Sequence, residues 1–325
     1  GRQQDCKSSP WRKYYLGKEF GIMTRKAKKP MRFGDLFFDI LNHGIFGIFT
    51  LLCIFPFYYL FINTISDNAL VTAGKISFYP IGIHFDNYLA ILQLGDLVTA
   101  IGVTISRTLI GTVLMVFASA LCGYVFTKQE MWHRKLWFRL IVIMMYLNAG
   151  LIPWYLNMAM LGLTNNFLAY ILPGIVAPYN LILVKTYMES IPAELEESAQ
   201  MDGAGYWTRF TKIIFPLSKP ILATIAIFGA VGHWNSFQDS LILMQSKPEL
   251  FTLQHKLYIY LNQASNLAAT MQSGGTLSQG QVQNLMNIKV VKYTVAMVTV
   301  IPILLVYPFM QKYFEKGIML GAVKG

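Results

Sequence analysis

Residues 191–220 read "IPAELEESAQMDGAGYWTRFTKIIFPLSKP" and lie between two apolar runs long enough to cross a bilayer. Pro192 suits the first turn of a helix, where its missing N–H costs nothing. Glu194 sits in that turn and favours the positive helix end. The run "PAELEESAQM" consists largely of good helix formers. "DGAG" interrupts it, with Gly203 free to take a positive φ. Trp207, Phe210 and Ile214 then recur at three- to four-residue spacing and form one apolar face. Pro216 is expected to stop this second helix before the next apolar run. The segment therefore reads as a short acidic helix, a glycine turn and a second short helix at a membrane surface. Helices that lie on lipid usually carry basic polar faces. An acidic one suits docking into a basic groove of a partner.

The rest of the chain supports the membrane setting. Its 325 residues are 54% hydrophobic and 13% charged, with a mean hydropathy of +0.45. Soluble domains carry about 25% charged residues, so the composition is that of a polytopic membrane protein. The net charge is +11, but ten of the 27 Lys and Arg fall in the first 32 residues, just before the first apolar run. A basic flank of that kind sets topology and attracts anionic lipid headgroups, so no nucleic-acid partner is expected. Cys6, Cys53 and Cys122 are odd in number and far apart, and no disulfide framework or metal spacing follows from them. No short apolar core with a small-residue cleavage site follows the basic region, so no signal peptide is expected.

About 20 apolar residues are needed to cross a hydrocarbon core as helix. Six runs qualify, at roughly 41–64, 102–126, 137–162, 166–187, 220–244 and 291–311. Arg107, Arg139, Lys185 and Lys292 fall within them and are expected to snorkel to an interface. Lys and Arg in the short loops orient the chain. Lys128, Arg134 and Lys135 place the loop at 127–136 in the cytoplasm, and Asp67, Asp86 and Asp96 accompany a lone Lys75 in the loop outside. Alternation puts both termini and residues 191–220 in the cytoplasm. The domain plan is a basic region 1–40, a six-span domain 41–312, and a tail 313–325. The loop 245–290 falls outside, with a helix within "LFTLQHKLYIYLNQASNLAATM" and a Gly-, Ser- and Gln-rich end. It reads equally as an external contact surface or a tolerated insertion.

Within 191–220, Glu197-Ser198-Ala199, three residues, Gly203, nine residues, and Ile213-Ile214-Phe215-Pro216 closely resemble the EAA loop of permease subunits in binding-protein-dependent ABC importers. The family pattern has Ala where Ser198 stands and Leu where Phe215 stands. Both changes are mild, and Asp202 before the glycine fits the same pattern. The ending "GIMLGAVKG" and "GHWNSFQDSLILM" in the fifth run resemble the maltose-type, oligosaccharide branch, with a further likeness to permeases for acidic polysaccharides such as alginate. The resemblance implies an all-α type I importer permease of the bacterial inner membrane. It implies that Glu194, Glu197, Ser198, Ala199, Asp202, Gly203, Ile213 and Pro216 form a coupling element seated in an ATPase subunit. It also implies a second, non-identical six-span permease, two cytoplasmic ATPase subunits and an external solute-binding protein, with ATP and Mg on the ATPase.

The residues agree with that division of labour. No "GxxxxGK[ST]" and no "HExxH" occurs, and His43, His84, His133, His233 and His255 are scattered, so neither an ATPase nor a metal site is expected in this chain. Sugar sites need amides and aromatic platforms, because hydroxyls stripped of water must be repaired. Trp234, Asn235 and Gln238, followed by Asn148 and Asn157, are the best pathway candidates; holding helices together is the competing role for each. Two rivals remain at this level: half of a secondary transporter, with Asp239 as its ionisable coupler, and an integral-membrane enzyme, for which no cluster can be assembled. A permease for a non-sugar solute is a further alternative.

Overall fold

The computed structural model describes residues 33–93, 95–272 and 289–308. The basic stretch up to residue 32, the Gly-, Ser- and Gln-rich stretch 273–288 and the tail 313–325 lie outside the described residues. The described residues contain helices and no strand. In chain order they are α1 (Phe33–Thr64), α2 (Asn68–Thr72), α3 (Asp86–Gln93), α4 (Gly95–Thr127), α5 (Arg134–Tyr146) and α6 (Leu151–Met160). Two 3-10 turns, Phe167–Tyr170 and Leu172–Gly174, precede α7 (Pro178–Met188) and α8 (Glu194–Met201). Then come α9 (Tyr206–Leu217), α10 (Lys219–Asn235), α11 (Gln238–Leu243), α12 (Leu253–Gln272) and α13 (Lys289–Pro308).

Two compact units meet in sequence between Pro56 and Phe57. In the first, the helix presents exposed Phe37, Ile40, Phe46, Phe49 and Leu52. In the second, α4 is the central element, packed chiefly against α10 and α7. Small residues let these backbones approach, as is usual between helices in lipid. A Cβ on Gly111 would lie 2.6 Å from His233 Nε2, and one on Gly123 would lie 2.8 Å from Val184 Cγ1. Ala120, Tyr124, Val184, Met188, Phe210, Ile214 and Ile225 form one core at the end of α4. A second core, around Tyr170, Leu243 and Met244, lies toward the other end of the same helix.

Three helices, Phe37–Thr64, Gly95–Thr127 and Lys289–Pro308, are each long and apolar enough to cross a membrane. The other expected spans are not single straight helices, and the reason is local in each case. The third bends by 119° between α5 and α6, where Leu147 is extended and Gly150 has φ of 87°. The fourth bends by 44° across Pro173, Gly174 and Pro178, none of which continues an α-helical ladder well. The fifth run begins at Lys219, after a 78° turn from α9 at Ser218. Pro216 lies in the last turn of α9, which ends one residue later at Leu217, before the next run, as its sequence suggests. A π-helical turn, Phe210–Ile214, widens the helix, and Phe215 N–H bonds to Phe210 O. A proline lacks the donor for an ordinary turn and its ring crowds the preceding carbonyls, and the wider turn carries the helix through to Leu217. Arg107 departs from expectation as well: it is 3% exposed and does not snorkel. The helix expected within 245–290 forms as α12.

Candidate functional site

The acidic helix of residues 191–220 forms as α8, with Glu194, Glu196 and Glu197 in its first turn. Its macrodipole favours carboxylates at that end. After Asp202, Gly203 takes φ of 83°, and Ala204 N–H closes back to Ala199 O at 2.9 Å. The chain thus turns into α9, whose Phe210 and Ile214 are buried in the core at the end of α4. Trp207, the third residue of the expected apolar stripe, is instead 59% exposed, with its ring 5.7 Å from that of Phe210.

One carboxylate holds the two halves to the membrane domain. Glu196 Oε1 accepts from Tyr124 Oη at 2.7 Å and forms an ion pair with Lys128; Arg209 approaches it at 3.5 Å. Arg209 is buried, donates to Gln200 Oε1 at 2.8 Å, and lies 4.4 Å from the Tyr206 ring centre. Burial works to raise the pKa of Glu196. Hydrogen bonds from Lys128 and Tyr124, with the charges of Lys128 and Arg209, outweigh it and hold the carboxyl below its ordinary value. The sequence alone does not single out Glu196, because its partners at 124 and 128 are about seventy residues away.

Of the expected coupling residues, Glu194, Glu197, Ser198, Asp202 and Gly203 are exposed together on α8 and its turn. Ala199 is half-buried, and Ile213 and Pro216 are half-buried in α9, Ile213 against the core. Leu195, Met201 and Tyr206 add exposed apolar surface. The result is a knob with acidic and apolar side chains on a clamped base.

A separate cavity of about 320 Å³ lies among α4, α7, α10 and the 3-10 turns, with Arg107, Trp154, Asn180, His233 and Asp239 among its lining residues. Arg107 donates to Asp239 Oδ1 at 3.1 Å and to Ser236 O at 3.2 Å, pairs also with Asp239 Oδ2, and lies 4.6 Å from the Tyr170 ring centre. Its buried Nε has no hydrogen-bond partner among the described residues. Asp239, the candidate coupler of a secondary carrier, is thus held by a fixed cation.

None of the five leading pathway candidates lines this cavity. Trp234 donates to Thr299 O at 3.0 Å and packs with Ile91, Leu97, Leu253 and Val295. Asn235 accepts from Gln254 at 3.3 Å, and Gln238 is exposed. Asn148 accepts from Gly150 N–H at 2.9 Å at the α5–α6 bend, and Asn157 is exposed on α6.

Comparison with known proteins identifies the architecture. The family described as "Binding-protein-dependent transport system inner membrane component" matches residues 119–320, which include the whole of α8 and α9. The chain belongs to this family. Two curated relatives from Bacillus subtilis (strain 168) extend the match over almost the full length. Protein LplC is 33% identical over 288 residues, covering 89% of this chain and 95% of the relative. The polygalacturonan/rhamnogalacturonan transport system permease protein YtcP is also 33% identical over 288 residues, covering 89% of this chain and 98% of its own. A solved bacterial ABC transporter, involved in the import of the acidic polysaccharide alginate, contains a chain that superposes with a TM-score of 0.77. That chain is 29% identical, and the match covers 88% of this permease and 99% of it. The permease is therefore a multi-pass inner-membrane component with the type I importer fold, and its family works with a second permease, an ATPase and a solute-binding protein.

Proposed function

We propose that this permease forms half of the path by which an ATP-driven importer takes up an oligosaccharide, with acidic sugars as the leading class. The relatives for polygalacturonan/rhamnogalacturonan and alginate support that class. The observation that carries the coupling part is the exposed acidic face of α8 above the Glu196 clamp. Glu194, Glu197 and Asp202 meet a basic groove on a cytoplasmic ATPase, with Leu195 and Met201 in the apolar contact. Ser198 and Ala199 keep the helix narrow, Gly203 makes the turn, and Ile213 and Pro216 seat α9. ATP and Mg are held by two ATPase subunits, and this chain binds neither. A non-identical permease supplies the other half, an external binding protein delivers the solute, and both termini face the cytoplasm.

Because α8, α9 and α4 are tied through Glu196, movement of the ATPase groove is passed to α4 as a rigid-body motion. The cavity beside Arg107 and Asp239 lies on the solute path, with Trp154 as a stacking surface and Asn180 and His233 as hydrogen-bonding groups. Trp234, Asn235, Gln238, Asn148 and Asn157 lie outside that cavity and are assigned to the path only beyond it.

The test is ATP hydrolysis by the reconstituted complex with its binding protein. Uronate-containing oligosaccharides should stimulate it more than neutral ones of equal length. Stimulation by neutral sugars alone would overturn the acidic class, and stimulation by no sugar at all would overturn the carbohydrate reading.

A further inference from the structure

The loop from α4 to α5 carries a feature that solute transport leaves unused. A cavity of about 640 Å³ opens beside the start of α5, lined by Gln129, His133, Arg134, Lys135 and Arg139 among others. Arg134 is occupied in closing the end of α4, donating to Thr127 O at 3.0 Å. Lys135 and Arg139 are exposed, one helical turn apart, and neither forms an ion pair among the described residues. Like charges at that spacing repel each other weakly, and an anion between them would relieve the repulsion. The loop's one carboxylate, Glu130, pairs with neither. His133 adds a ring donor at the rim, packed 4.3 Å from the ring of Trp132, and Trp132 is itself 72% exposed.

The neighbouring stripe of the same helix is apolar. Leu136, Leu140 and Ile143 are exposed at i, i+4 and i+7, and α5 buries no residue at all. Cations at one end beside an exposed apolar stripe, with Trp132 and Trp137 at the boundary, match an amphiphile. An anionic phospholipid set here would put its phosphate at Lys135 and Arg139 and its acyl chains along Leu136, Leu140 and Ile143.

We propose that this cavity is a specific site for an anionic phospholipid headgroup. A mobile surface charge would need no cavity and no aligned apolar stripe. An anion without acyl chains would leave that stripe uncovered.

The test uses the full chain in neutral detergent and follows retained lipid by native mass spectrometry and thermal stability, with added phosphatidylglycerol, phosphatidylcholine or inorganic phosphate. Phosphatidylglycerol should be retained and protective, and phosphatidylcholine at equal concentration should not. Each surface cation contributes roughly fivefold in affinity, so Lys135→Gln with Arg139→Gln should weaken binding by about thirtyfold. Lys135→Arg with Arg139→Lys should bind as the native chain does. Equal stability of both double variants in phosphatidylcholine shows that they are folded. Equal retention of the two lipids, or native affinity in the neutralised variant, would overturn the site. Full protection by inorganic phosphate would make it a phosphate site and overturn the lipid assignment.

Discussion

In the pair Glu196–Glu197, the first carboxylate is turned inward to Tyr124, Lys128 and Arg209, while the second is exposed. Glu196→Gln leaves two largely buried cations without their counter-charge. The expected loss lies between the values for exposed and buried pairs, about 1–3 kcal/mol, read as a lower melting temperature of the purified chain. Glu197→Gln should leave that temperature unchanged and weaken retention of the ATPase. The pH dependence has a definite sign. A carboxyl whose pKa is lower folded than unfolded stabilises fully above its ordinary value of 4.5, and that contribution disappears as pH falls below it toward the lowered value. Melting curves between pH 6 and about 3 should therefore converge for the native chain and Glu196→Gln. Arg107 and Asp239 make a harsher pair. Asp239→Asn strands a cation whose side chain is 3% exposed and should cost about 3–5 kcal/mol, while Arg107→Met combined with Asp239→Asn should recover much of it. A double variant no more stable than the single one would show that the pair is not the source.

At the scale of elements, two glycines separate space from backbone strain. A Cβ on Gly203 would meet nothing within 4 Å, yet its φ of 83° disfavours a side chain. Gly203→Val should add roughly 1–2 kcal/mol of strain and abolish transport with membrane insertion intact, whereas Gly203→Asn, which tolerates that φ, should retain transport. Normal uptake by the valine variant would remove the turn from the mechanism. At Gly123 the reverse holds: the helix is regular, but a side chain would drive into Val184 and the backbone of α7. Gly123→Val should destabilise by about 1–3 kcal/mol through overpacking, measured by thermal unfolding. These contrasts show what a sequence carries. Gly203 and the acidic run of α8 are legible because their cause is local. The uninterrupted spans are legible because their apolar runs are long. The bend at Gly150 is hidden inside a run whose average hydropathy stays high, although "LNAG" carries a local turn signal. The Glu196 clamp, the Arg107–Asp239 pair and the packing of Trp234 are set by distant partners, so no window of one sequence contains them.

At the scale of the whole molecule, the apolar surface is too extensive for one protomer to satisfy alone. Leu109, Val113, Phe117, Ile152, Leu156 and Met160 are exposed on α4 and α6. Lipid can cover such side chains, but it cannot supply energy, and the knob formed by Met201, Trp207 and the α8 carboxylates exposes polar and apolar groups together. A surface of that mixed character fits a protein groove better than a bilayer. Purification of the chain from its native membrane in mild detergent should therefore bring one other six-span permease and two copies of a P-loop ATPase. A second experiment assigns the contact. Met201→Cys, at a position 88% exposed, should cross-link to the ATPase through a short bifunctional reagent, with a yield that changes when ATP is added. A cysteine at Met160, which is 87% exposed on α6, should give no such product. Cross-linking from Met160 but not Met201 would move the docking surface away from residues 191–220. A chain that came through gel filtration alone or as a self-dimer, without a nucleotide-binding partner, would take away the main support for docking of residues 191–220 on an ATPase and turn attention to Asp239 and an ion-driven carrier.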